Sequence, residues 1–280
     1  MKSSIITKEN KIAPSSAGDL FIPEGISEID TFAYEDEREL ISVHFPESLK
    51  KVGAHAFYNC RSLYRIRIDS SETDIGDGAF KNCERLSEVE LLKNSESIRA
   101  LKSVLFDAHR QVRVRMIYPD GEALLVFPYF MDNFEENTPA RIVMHISEGA
   151  GTPYRECIYS GDVDYKAYDE LFRTGINLDI YDSAAEIAVC RLTHPYRLSE
   201  SAASVYMDFL RANVTGIFSG ILTRNDTAAL KDMLSLDIPD KDQVSGMIDT
   251  AREKNSTEIL AVLLEYFGDK YGQTGSRYEF

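Results

Sequence analysis

A period of 23 residues constrains this chain more than any other feature: three segments, Ile22 to Phe45, Phe45 to Ile68 and Asp69 to Leu91, repeat at that spacing without an insertion. Within each period the apolar side chains fall on fixed positions: Ile29, Val52 and Ile75; Ala33, Ala56 and Ala79; Tyr34, Phe57 and Phe80; Leu40, Leu63 and Leu86; Val43, Ile66 and Val89. A unit this small cannot bury its apolar face alone, whereas stacked copies share one core and pair their short strands in parallel. The period therefore predicts a solenoid. A small alanine followed by an aromatic residue lets the backbone turn while the ring fills the interior. Asn59 and Asn82, one period apart, are expected to bond loop backbone groups as a stacked ladder. Cys60 and Cys83 stand at the next position as a structural rung without redox chemistry.

The pattern I-P-x-x-I/L-x-x-I-G-x-x-A-F-x-x-C-x-x-L-x-x-V-x-F resembles the BspA-type leucine-rich repeats over about a quarter of the chain. The first repeat departs from it with Asp30 for Gly and Glu37 for Cys, and the third with Asp69 for Pro. Members of that family are mostly interaction proteins, many on bacterial or protist surfaces, so the resemblance implies a bacterial protein that binds rather than catalyses.

A solenoid needs caps, or its last rung exposes the core. Residues 1 to 21, with Ile5, Ile6 and Ile12 around Lys8-Glu9-Asn10-Lys11, read as an N-terminal hairpin cap. Leu101 to Phe106 echoes the L-x-x-V-x-F strand and reads as a degenerate fourth rung. Beyond it, Val112 to Tyr118 and Ala123 to Tyr129 flank Pro119-Asp120-Gly121, a hairpin signal. A third strand is expected at Arg141 to Ile146 after an acidic loop, Asp132 to Thr138, and a fourth at Tyr154 to Tyr159. After Gly161 the period turns helical, predicting Asp164–Phe172, Asp182–Leu192 with the capping box Ser183…Glu186, Ser199–Asn213, Asp226–Leu236, Asp240–Lys254 and Ser256–Phe267 closed by Gly268. The stretch from Asn225 to Leu264 is faintly similar to ankyrin-type helical hairpins, which implies stacked helices and nothing more. The expected organisation is α+β: residues 1–110 a leucine-rich-repeat solenoid with caps, 111–160 a small linking β-sheet, 161–270 an α-helical bundle or stacked-helix region, and 271–280 a tail.

Composition and charge narrow the function. The formal charge of −15 is uneven, with 15 basic against 19 acidic groups in residues 1–110 and 16 against 27 in 111–280. An acidic surface repels phosphate backbones, so nucleic-acid binding through bulk charge is disfavoured. No run of about 20 apolar residues occurs, which argues against membrane insertion, and the first ten residues lack the apolar stretch of a signal peptide. The chain as given reads as cytoplasmic, and as exported only if a leader has been removed.

No catalytic, metal or cofactor set is legible in the residue pattern. The five histidines, His44, His55, His109, His145 and His194, lack ligand spacing, and no C-x-x-C occurs. Glu148-Gly149-Ala150-Gly151-Thr152-Pro153 lacks the Lys-Ser/Thr of a phosphate cradle and reads as a tight connection between strands. Glu35 to Glu39 reads as a solvated loop.

More informative are the residues flanking the buried Val and Ile of each repeat strand, which must point outward: Ser42 and His44, Arg65 and Arg67, Glu88 and Glu90. Strand spacing brings Arg65 beside Glu88 and Arg67 beside Glu90. This pairing by itself blunts a sheet face, but Arg65, Arg67, Glu88, Glu90, Tyr64 and His44 are also the residue types of a partner-binding surface. The expected function is a non-catalytic protein–protein interaction module. One alternative is an enzyme or small-molecule binder with a pocket in residues 111–213, drawing on Tyr154, Arg155, Cys157, His145, Asp169 and His194; another is surface adhesion after export.

Overall fold

The computed structural model describes residues 4–137, 142–159, 161–174 and 180–272. The chain folds as two compact units, Met1–Leu178 and Asp179–Phe280.

The first unit is a β-solenoid of about five turns. One side is a four-stranded parallel sheet, in the order β1 (Ile5–Ile6), β3 (Glu28–Ile29), β5 (Lys51–Val52) and β7 (Asp74–Ile75). The other side is six-stranded: β2 (Asp19–Phe21), β4 (Ser42–Phe45), β6 (Arg65–Ile68), β8 (Glu88–Leu92), β9 (Val112–Tyr118) and β10 (Gly121–Phe127). The period becomes register directly. Ile29 lies beside Val52 and Val52 beside Ile75, while Val43, Ile66 and Val89 form one row. All of these side chains are buried. The Tyr34, Phe57 and Phe80 rings stack at 5.0 and 5.4 Å with interplanar angles of 3° and 9°.

The repeat's glycine has a steric cause. A Cβ on Gly53 would lie 2.5 Å from the backbone N of Thr31, and one on Gly76 would lie 2.6 Å from that of Ala54. Asp30 stands at the same position with its N–H on the carbonyl of Ile6 at 2.8 Å. Asn59 and Asn82 act differently from the expected ladder. Both sit in the left-handed region, φ 62° and 64°, as Asp36 does one period earlier at 62°. A short polar side chain tolerates that conformation. Their side-chain amides donate to other side chains, Asn59 to the Asp36 carboxylate and Asn82 to the Tyr58 hydroxyl at 3.0 Å.

Both expected ends are corrected. Residues 1–21 are not a hairpin: β1 pairs in parallel with β3 and β2 with β4, so Ile6 and Leu20 are rung residues one period before Ile29 and Val43. Short side chains cap the exposed edges. Asn10 donates to the carbonyl of Ile5 at 3.1 Å and accepts the Thr7 N–H at 2.6 Å, while Ser15 Oγ accepts the Asp19 N–H at 3.1 Å. At the far end, Leu101 to Phe106 is helical, within α1 (Arg99–Asp107). Ala100, Leu101, Val104 and Leu105 are buried, a helical spacing that packs where a strand would expose alternate residues. The next rung strand is β9, with Glu88 beside Arg113.

The 111–160 stretch is not one linking sheet. The hairpin at Pro119-Asp120-Gly121 is present, but β9 and β10 extend the solenoid sheet. Its outer edge is closed by Tyr168, whose hydroxyl accepts the Val126 N–H at 2.9 Å and donates to the Val126 carbonyl at 2.7 Å. The acidic stretch expected as a loop is strand β11 (Met131–Asn137), paired antiparallel with β12 (Ile142–Glu148) in a separate two-stranded sheet. Tyr154 to Tyr159 is not a strand: α2 (Gly151–Glu156) takes its first half, with Pro153 in the first turn, where its missing N–H costs nothing, and only Ile158 makes a single bridge, to Val163. The glycine-containing loop therefore joins a strand to a helix. Helix α3 (Tyr165–Arg173), capped by the Asp164 carboxylate on Ala167 N–H, also belongs to this unit.

The second unit is helical: α4 (Ala185–Thr193), α5 (Glu200–Arg224), α6 (Thr227–Ser235), α7 (Lys241–Glu253) and α8 (Thr257–Tyr271). Ser199 caps α5 as expected, and Asp226 and Asp240, where helices were expected to start, cap α6 and α7, the last with a full capping box to Gln243. A π-helical turn at Ile180–Ala184 contains Ser183, and α4 starts after it at Ala185. Helix α5 runs past Asn213 to Arg224 and ends on Asn225 in the left-handed conformation, φ 52°. Helix α8 passes through Gly268 to Tyr271, and of the expected tail 273–280 lies outside the described residues.

Candidate interaction face of the solenoid

On the six-stranded sheet the outward residues form two rows across the strands. One row runs Asp19, Ser42, Arg65, Glu88, Arg113, and the other Phe21, His44, Arg67, Glu90, Arg115. The predicted residues are thus brought together, in the expected register.

The charges are paired within the face. Arg65 reaches Glu88 Oε2 through Nε at 2.7 Å and Nη2 at 2.6 Å, and the Tyr64 hydroxyl donates to Glu88 Oε1 at 3.1 Å. Arg67 donates through Nη1 to Glu90 at 2.5 Å and through Nε to Asp69 Oδ1 at 3.0 Å. The other Asp69 oxygen meets His44 Nε2 at 2.5 Å. Asp69, the third repeat's departure from proline, therefore joins two strands of the face. Partial burial, and then the Glu88 charge, push the Tyr64 phenol above its ordinary value.

Sequence reasoning missed the flanks of this face. Asp19 and Phe21 lie 23 residues before Ser42 and His44, so one further step of the period would have found them. Phe21 is 64 % exposed, with its ring edge-on to His44 at 5.9 Å. Arg113 and Arg115 lie 25 residues after their neighbours, out of step with the repeat. The acidic loop is paired to the N-terminal rung, Glu35 with Lys8 at 3.4 Å and Glu37 with Lys11.

Of the candidate catalytic residues described in the first unit, Cys157 is buried, and burial followed by the charges of Asp164, Glu156 and Asp169 pushes its thiol up to about 12, the reverse of activation. Arg155 is engaged by backbone, its guanidinium donating to the carbonyls of Leu105, Ala108, Arg110, Pro128 and Gly151. Tyr154 is fully buried and its hydroxyl has no partner among the described residues, and Asp169 is buried at 6 % exposure. His194 belongs to the other unit, and the side chain of His145 lies outside the described residues. One feature invisible in the sequence is a groove of about 520 Å³ between α1 and α2, lined by apolar Leu105, Phe106, Phe130, Ile158 and Tyr159 and by polar Lys102, Thr152, Arg155 and Glu156. Phe106 and Tyr159 are 70 % and 60 % exposed. No helix among the described residues is long and apolar enough to cross a membrane.

Residues 13–107 match the family described as BspA type leucine rich repeat region, in six copies. The match therefore reaches beyond the three full periods at both ends. A solved structure, of a leucine rich cell surface protein from Faecalibacterium prausnitzii A2-165, is 22% identical over 37% of this chain and 36% of that one, with a TM-score of 0.22. The matched stretch thus spans about a third of that relative's length. No curated protein matches the chain. Leucine-rich-repeat regions are in general binding modules, for protein partners or surface adhesion, rather than enzymes. Residues 13–107 form a leucine-rich-repeat region of the BspA type.

Proposed function

We propose that the chain is a non-catalytic protein–protein interaction module that engages its partner through the outer face of the six-stranded sheet. The observation that carries this reading is the double row of outward residues, held in register on a rigid parallel sheet and bordered by exposed Phe21 and Tyr64. Arg and Tyr are over-represented at binding hot spots, and a surface with fixed side-chain geometry loses little conformational freedom on association. Arg65, Arg67, Glu88, Glu90, Tyr64 and His44 are the contact residues in this reading. The test is capture of partners from the native organism with the wild type beside Arg65→Glu/Arg67→Glu, the variant's fold verified by its melting curve. A partner lost in the variant supports the face; a partner retained removes it. The module acts in the cytoplasm in this reading, and recovery solely from the cell-surface fraction would replace the partner with an adhesion ligand.

The groove between α1 and α2 favours a second reading, small-molecule binding. Its volume, and a lining of apolar side chains with a few polar ones, fall in the range of ligand sites. Ligand-observed NMR with a panel of apolar carboxylic acids tests it, because the lining carries two cations, Lys102 and Arg155, against one anion, Glu156. Binding abolished by Phe106→Ala/Tyr159→Ala supports it, and no binding across the panel sinks it.

A further inference from the structure

Helices α1 and α2 each turn one face to the groove between them: Lys102, Leu105 and Phe106 at i, i+3 and i+4 on α1, and Thr152, Arg155 and Glu156 at the same spacing on α2. Three aromatic rings, Phe106, Phe130 and Tyr159, line it beside Leu105 and Ile158. Its three charged groups are not equivalent. Arg155 has five guanidinium N–H donors, and they are engaged on five carbonyls, those of Leu105, Ala108, Arg110, Pro128 and Gly151. Its Cζ also lies 4.1 Å from the centroid of the Phe130 ring, so Arg155 is a fixed part of the wall with no N–H left for a ligand. Lys102 and Glu156 are exposed, and neither the ammonium nor the carboxylate makes an ion pair or hydrogen bond among the described residues, with each other or with any neighbour. One cation and one anion, both without a partner, thus border a groove lined by aromatic rings.

Resting on the small-molecule reading of the groove, we propose that its ligand is a free aromatic α-amino acid, with the ring among Phe106, Phe130 and Tyr159, the carboxylate at Lys102 and the ammonium at Glu156. Aromatic pairs gain from offset or edge-on contact beyond the area they bury, so a flat ring suits this lining better than a chain of methylenes. A lone anion would be opposed by Glu156 and a lone cation by Lys102, whereas a zwitterion answers both. The charged end stays in water at the exposed Lys102 and Glu156 while only the ring is buried, which avoids the cost of desolvating two ions. A ligand without net charge is also not repelled by the field of a chain at −15.

The test is calorimetry on the full chain with L-phenylalanine, L-tyrosine and L-tryptophan, beside three analogues of phenylalanine. The N-acetyl acid lacks the ammonium, the amide lacks the carboxylate, and L-cyclohexylalanine lacks the flat ring. The free amino acid should bind roughly fivefold or more tighter than either single-charge analogue, the size expected of one solvent-exposed ion pair, and tighter than the saturated analogue. Lys102→Met should weaken the amino acid and the N-acetyl acid and leave the amide unchanged. Glu156→Gln should weaken the amino acid and the amide and leave the N-acetyl acid unweakened. Both side chains are exposed, and unshifted melting curves verify the fold of each variant. The N-acetyl acid or cyclohexylalanine binding as tightly as phenylalanine would overturn the amino-acid assignment while leaving the groove a site for acids. Failure of the amino acids and of the whole carboxylic-acid panel would overturn the groove as a ligand site altogether.

Discussion

Cys60 donates its thiol proton to the Tyr34 carbonyl at 3.1 Å, and one turn later Cys83 donates to that of Phe57 at 3.3 Å. Both thiols are buried. The repeat's cysteine is therefore a small apolar filler with one weak donor, which adds to the backbone N–H that each carbonyl already accepts, Glu37's at Tyr34 and Cys60's at Phe57. Cys60→Ala removes the donor and leaves a void, and should lower unfolding free energy by about 1 to 2 kcal/mol in urea titrations. An unchanged midpoint would remove this role.

Gly53 has backbone where a side chain would go, whereas Asp30, at the same repeat position, already carries a Cβ. Gly53→Ala should cost about 1 to 3 kcal/mol, because main chain cannot move aside as a flexible side chain does. Asp30→Ala is the control and should cost less than about 1 kcal/mol. Equal losses at the two sites would show that stacking distance does not select the glycine.

The Arg65–Glu88 pair is open to solvent, with side-chain exposures of 58% and 28%. A double-mutant cycle with Arg65→Ala and Glu88→Ala should return about 0.2 to 1 kcal/mol, shrinking further in 1 M salt. A coupling well above that range would make the face a stability element rather than a surface free to exchange partners.

Cys157 should be unreactive. With its thiol raised from 9 to about 12, ionisation is suppressed on the order of a thousandfold below that of an ordinary thiol. Alkylation by iodoacetamide at pH 8 should proceed only as fast as the chain unfolds. Rapid modification of native protein at Cys157 would return an enzymatic reading to consideration.

Tyr168 closes the edge of β10 with a single hydroxyl bonded to both polar groups of Val126. Tyr168→Phe leaves a buried N–H and carbonyl unserved, for a loss of about 1 to 3 kcal/mol. Thermal unfolding monitored by circular dichroism measures it, and an unshifted melting temperature would show that water serves the edge equally well.

The period by itself determined the solenoid, its core positions and the pairing of Arg65 with Glu88, since a residue's neighbours there are the residues 23 before and after it. Helix starts at Ser199, Asp226 and Asp240 were equally legible, because a cap is a contact three residues long. What lies off the period was decided by tertiary packing. Residues 1–21 were open to a hairpin until Ile6 and Leu20 were placed on the rungs beside Ile29 and Val43. Leu101 to Phe106 carries a strand-like pattern yet folds as a helix, because the solenoid's end needs a surface that buries Leu101, Val104 and Leu105 together. Tyr154 to Glu156 became helical for a similar reason, with Tyr154 drawn into the interior against Tyr168. Local sequence specifies an element when the partners that reward it are near in the chain. When the partners are distant, as for the Arg155 guanidinium on five carbonyls or the Asp107 carboxyl on Phe80, only the folded chain brings them together.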